Sequence, residues 1–125
     1  MKNFVFLFEY GRFGSDNYKI YNNGIDVIIE INHHRINHEE FNRQISSEQW
    51  EEFWRVIDEI DAWQWDKDYF NEGVLDGTQW ELVIDRKGKR RRRIFGSNDY
   101  PPNFKLLIDA INKLANIDIE HYEED

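Results

Sequence analysis

Ser46-Ser47-Glu48-Gln49-Trp50-Glu51-Glu52-Phe53-Trp54-Arg55-Val56-Ile57-Asp58-Glu59-Ile60 decides the fold class of this 125-residue chain. Trp50, Phe53, Trp54, Ile57 and Ile60 recur at helical spacing and share one face, while Glu51, Glu52, Asp58 and Glu59 lie opposite. Ser46 and Gln49 have the spacing at which a hydroxyl and an amide satisfy each other's backbone N–H groups at a helix start. The segment is an amphipathic helix with an aromatic underside, so something apolar must lie beneath it.

Upstream of it the period changes to two. Phe4, Phe6, Phe8 and Tyr10 alternate with Val5, Leu7 and Glu9, which predicts a strand over residues 3–10. Tyr18-Lys19-Ile20-Tyr21 reads as a second strand, and Asn22-Asn23-Gly24 suits a tight hairpin turn. A third strand over residues 25–32 places Ile25, Val27, Ile29 and Ile31 on one face. Residues 33–46 are polar and read as a connection.

Downstream, Trp63 and Trp65 alternate as in a short strand, and Asn71-Glu72-Gly73 and Asp76-Gly77 are turn signals around Val74-Leu75. Residues 79–85 and 89–95 form a hairpin about Arg86-Lys87-Gly88. A three-residue turn sets Asp85 opposite Lys89, Glu81 opposite Arg93 and Trp80 opposite Ile94. A two-residue turn sets Leu82 beside Arg93 and Ile84 beside Arg91. The first pairs opposite charges across the strands and is preferred. Tyr100-Pro101-Pro102 opens a second helix, whose apolar face is Phe104, Leu107, Ile108, Ile111 and Leu114. The expected architecture is one α+β domain spanning residues 1–125, in two layers, with an antiparallel sheet of five to six strands and two helices packed on one face. Residues 118–125 form an acidic C-terminal tail.

The chain has no cysteine, which excludes disulfides, thiolate metal sites and cysteine nucleophiles. The apolar run after Lys2 ends at Glu9, too short for a signal peptide, and no stretch has the length of a membrane span. These features lead us to expect a cytoplasmic protein without membrane contact. Net charge is −9, and between Glu48 and Asp85 twelve acidic residues face only Arg55 and Lys67. Such a surface repels nucleic acid and favours basic partners.

The chemistry-bearing patterns of the chain fail on spacing. His33, His34 and His38 with Glu39 and Glu40 form one group of metal-ligand types, but Arg35 stands where a zinc-protease motif needs glutamate. The stretch reads as an exposed polar loop. Asp66, Asp68, Glu72 and Asp76 lack the glycine of a calcium loop. No phosphate loop and no serine nucleophile motif occur. The chain is therefore read as non-enzymatic, with no catalytic, cofactor-binding or metal residue assigned. Arg90-Arg91-Arg92-Arg93 could grip phosphates, but strand alternation splits the run and Glu81 and Asp85 can neutralise part of it. The residues assigned to partner binding are the helix acids Glu51, Glu52, Asp58 and Glu59, with Trp63 and Trp65 as partly exposed anchors and Arg91 and Arg93 as interface arginines.

Trp80 after Asp76-Gly77-Thr78, then Gly96-Ser97-Asn98-Asp99-Tyr100-Pro101 leading to Phe104 and a leucine-rich helix, resembles small bacterial domains of unknown function. Some proteins of that look are encoded as immunity or accessory proteins beside secreted toxins. The resemblance covers about residues 62–115, rests on turn glycines, a core tryptophan and a proline-led helix, and carries no catalytic residues. It implies non-catalytic protein recognition, with an acidic surface neutralising a basic toxin partner such as a nuclease. The rival readings are a small-molecule- or metal-dependent enzyme using residues 33–40 or 66–76, and nucleic-acid binding through the basic strand.

Overall fold

The computed structural model describes residues 3–12, 14–34, 37–73 and 77–121. Val74, Leu75, Asp76 and the last four residues of the acidic tail lie outside them. In chain order the elements are β1 (Val5–Arg12), β2 (Asn17–Asn23), β3 (Asp26–His33), β4 (Asn37–Arg43), α1 (Ser47–Glu59), a 3-10 turn (Ala62–Gln64), β5 (Asp68–Phe70), β6 (Thr78–Asp85), β7 (Arg92–Ser97) and α2 (Phe104–Ala115). One sheet joins all the strands in the order β4-β3-β2-β1-β6-β7-β5. Every neighbouring pair is antiparallel except β5 and β7, which run parallel.

Alternation decides which side of this sheet is covered. Phe6, Phe8 and Tyr10 of β1 stand in register with Ile84, Leu82 and Trp80 of β6, and Phe8 with Ile20 of β2. These residues join the buried faces of α1 and α2 in one core, so both helices lie on the same side. The α+β class and the paired helices are as expected. The sheet is larger than expected, with seven strands, and it is mixed rather than antiparallel.

The added strands have identifiable causes. Residues 37–43 lie inside the polar 33–46 stretch and show no strand pattern, since Phe41 is their only large apolar residue. Their ladder with β3, from Val27 opposite Arg43 to His33 opposite Asn37, holds them as an edge strand regardless of propensity. β5 has three residues and gains its place through backbone bonds from Phe95 N to Lys67 O (2.9 Å) and Asn71 N to Ser97 O (2.9 Å). No periodic pattern can emerge from so short a strand.

Trp63 and Trp65 do not form a strand and are not exposed anchors; both are buried. Asp61 takes a left-handed conformation (φ 62°) that ends α1 and turns the chain inward. Trp63 then stacks on Trp54 with centroids 6.0 Å apart, and its indole N–H donates to Asp58 Oδ1 at 2.8 Å. Arg92 holds the turn from the other side, its guanidinium donating to the carbonyls of Trp63 and Trp65.

The β6–β7 register differs from both turns considered. Leu82 faces Ile94, Val83 faces Arg93 and Glu81 faces Phe95, because the connecting loop extends to Arg91. The offset from the preferred register is two residues, so every side chain keeps its expected face. α1 carries the expected capping box, Gln49 N donating to Ser46 Oγ at 3.1 Å and Ser46 N to Gln49 Oε1 at 2.8 Å. α2 begins at Phe104, after the two prolines, with Asn103 at its start in the left-handed region (φ 65°). Part of the acidic tail is not solvent-borne. Asn112 clasps Ile119 through both backbone groups, at 2.8 and 3.0 Å, and Ile119 and His121 are buried.

Gly96 shows how tightly this side is packed. A Cβ there would come within 1.9 Å of Trp80 Nε1, which donates to Asp99 O at 3.0 Å. Gly96→Ala is expected to lower stability by about 1–3 kcal/mol through overpacking. Urea unfolding followed by fluorescence measures it, and an unchanged midpoint would refute the packing argument.

Candidate functional site

With both helices on one side, the opposite face of the sheet is open. Its central rows are Tyr21, Leu7 and Val83, opposite one another across β2, β1 and β6. Where β1 ends, the face deepens into a cleft of about 1270 Å³. Gly11, Gly77 and Gly96 line it, each packed closely against a neighbouring side chain, Asn17, Asn98 and Trp80 respectively. Phe70 and Phe95 project from neighbouring strands at its side with 61% and 39% of their surface exposed, high values for phenylalanine.

The charged groups at this end are mostly acids. Glu9, Asp68 and Glu81 line the cleft, and Glu9 stands directly opposite Glu81. An adjoining depression of about 520 Å³ is lined by Asp16, Asp118 and Glu120 around Tyr18. Burial, followed by the charges of those three carboxylates, pushes the Tyr18 hydroxyl pKa above its ordinary value. Arg12 lines both hollows, and two of their acids have cationic or imidazole partners, Glu81 with Arg93 at 2.6 Å and Asp16 with His33 at 3.1 Å.

The basic run starts beyond the far end of β6 and returns along β7, where Arg93 stands opposite Val83 and reaches Glu81 of the cleft. Much of it is structural. Arg86 lies over the Trp54 ring at 5.3 Å, Lys89 over Trp63 at 5.8 Å, and Arg92 binds the two tryptophan carbonyls. Arg91 pairs with Asp85 at 3.2 Å and Arg93 with Glu81 at 2.6 Å, both on the open face. The expected neutralisation by Glu81 and Asp85 is present, with different partners for Asp85 and a diagonal contact for Glu81.

The structure does not gather the residues assigned to partner binding. Glu51, Glu52, Asp58 and Glu59 are on α1, on the helix side of the sheet, whereas Arg91 and Arg93 are on the open side. Glu52 and Glu59 both bind Arg55, which draws the Glu52 carboxyl pKa below its usual value, and Asp58 is the acceptor for Trp63. Glu51 is exposed. Glu9, Asp68 and Glu81, which sequence reasoning did not select, come from three separate strands. Their alternation with buried aromatics marked them as outward-facing, but only the sheet order brings them together.

The histidines separate by strand parity. His33 is on the helix side, with Nδ1 3.1 Å from Asp16 Oδ1 and Nε2 against Glu39. His38 is on the open side near Glu30 and Glu40, the one grouping of possible metal ligands among the described residues. No helix among the described residues is long and apolar enough to cross a membrane. Comparison with known proteins gives no match to a family model and none to a curated protein.

The hydrogen bond with Glu39, then that with Asp16, raises the His33 pKa above its ordinary value. A raised folded-state pKa contributes stability that is complete below about pH 6.5 and is lost as pH rises through the folded value. Urea midpoints of the wild type and His33→Gln are therefore expected to differ most below pH 6.5 and to converge above the folded pKa. A difference independent of pH would refute the pairing.

Proposed function

We propose that this protein is a non-catalytic recognition domain that binds a basic protein partner, in the manner of an immunity protein, through the acidic end of its open sheet face. The observation that carries this reading is the glycine-lined cleft in which Glu9, Asp68 and Glu81 lie beside the exposed rings of Phe70 and Phe95. Glu81 is held by Arg93, so Glu9 and Asp68, neither in an ion pair among the described residues, are the carboxylates that receive an incoming lysine or arginine. The exposed Phe70 ring supplies apolar area and cation–π contact for the same groups, while the Phe95 ring carries Arg93 at 5.0 Å.

The charge of the whole chain acts in the same sense. At −9, the chain as a whole attracts a cationic surface and accelerates encounter. The reading moves the contact from α1, whose acids are largely held by Arg55 and Trp63, to the cleft. Nucleic-acid binding is not favoured, because Arg86, Lys89 and Arg92 are turned toward the tryptophans.

The test is the affinity for a panel of purified basic proteins, including secreted nuclease domains, at low and physiological salt. At least one member is expected to bind with marked salt sensitivity. The double variant Glu9→Lys/Asp68→Lys is expected to weaken it by about tenfold or more, whereas Glu51→Lys on α1 changes it little. Equal binding by the double variant, or binding by no member of the panel, would reject the reading.

A further inference from the structure

β3 and β4 pair with Glu30 directly opposite Glu40 and Asn32 directly opposite His38. Because side chains two apart on a strand share a face, Glu30, His38 and Glu40 all project from the open face. Their donor atoms, one ring nitrogen and two carboxylate oxygens, lie within 4.8 Å of one another. We infer that Glu30, His38 and Glu40 form a binding site for a divalent transition-metal ion of the zinc class.

Two observations outside the cluster's own geometry support the assignment. The first concerns charge. Opposed carboxylates destabilise a strand pair, yet among the described residues neither Glu30 nor Glu40 has a lysine or arginine ion-pair partner. Lys19 is opposite Glu30 on β2, but its ammonium sits over the Tyr21 ring at 5.5 Å. A cation of higher charge would offset this repulsion.

The second observation is the set of contacts that orient the donors. His38 Nδ1 lies 2.8 Å from Asn32 Oδ1. An amide oxygen only accepts, so Nδ1 carries a proton, and in the neutral imidazole Nε2 then offers the lone pair. The Tyr21 hydroxyl donates to Glu30 Oε2 at 2.9 Å. Metal-ligating imidazoles and carboxylates are held by outer hydrogen bonds of this kind.

The donor set selects the ion. Calcium and magnesium take oxygen donors in larger number, whereas imidazole with carboxylates suits zinc, cobalt or nickel. A tetrahedral ion about 2.1 Å from each donor needs donors about 3.4 Å apart, within the 4.8 Å that separates them here. Three protein donors leave one position for water or for a side chain of a bound partner.

The experiment is calorimetric titration of the full chain with zinc chloride at pH 7.5, repeated with cobalt followed by its visible absorption. One equivalent is expected to bind and to raise the thermal midpoint. His38→Gln and Glu40→Gln are each expected to weaken binding by about tenfold or more, with circular dichroism showing an intact fold. His33→Gln, on the other side of the sheet, is expected to bind as the wild type does. Binding weakens toward acid, because the imidazole must be unprotonated. Absence of a stoichiometric equivalent would overturn the site, as would unchanged affinity in His38→Gln.

Discussion

Burial of the aromatic side of β1 beneath the helices is the constraint on which the rest of the structure depends. β1 is the middle strand of seven, and Phe6 and Phe8 are wholly buried. Phe6 meets Phe53 of α1 at 4.9 Å between ring centroids, and Phe8 meets Phe104 of α2 at 6.3 Å. Burying each ring is worth about 1.5–3 kcal/mol, and a one-residue slip would move all of them to water. With β1 held in this register, β2 and β6 are fixed beside it, and both helices are committed to one side. The open face follows directly from this arrangement.

The parts of the fold legible in the sequence are those whose pattern is local. Trp50, Phe53, Trp54 and Ile57 marked α1, and the alternation of Phe4 to Tyr10 marked β1. What could not be read depends on partners distant in sequence. β4 is polar and is a strand because β3 offers it a ladder. Trp63 and Trp65 are buried because Asp61 adopts a left-handed turn and Arg92, far along the chain, caps their carbonyls. The same distinction applies to the site. The α1 acids were visible as a stripe at helical spacing, whereas Glu9, Asp68 and Glu81 are neighbours only through sheet order.

The tryptophan-rich segment and the arginine run are one structural unit. Arg86 and Lys89 cover the ends of the indoles, and Arg92 binds the turn that carries two of them. A cation in such a position contributes packing as well as charge. The effect is to commit part of the basic run to the core's rim.

Trp50, Trp54 and Trp63 form a stack, with successive centroids 6.1 and 6.0 Å apart and ring planes inclined by 23° and 22°. Indoles this close and this nearly parallel exchange excitation, so their near-ultraviolet signal is a collective property of the intact core. Trp80 stands apart from them, beneath the cleft and against Phe104. The molecule therefore carries two optical reporters of its own. One responds to the integrity of the helix layer, and the other to events on the open face.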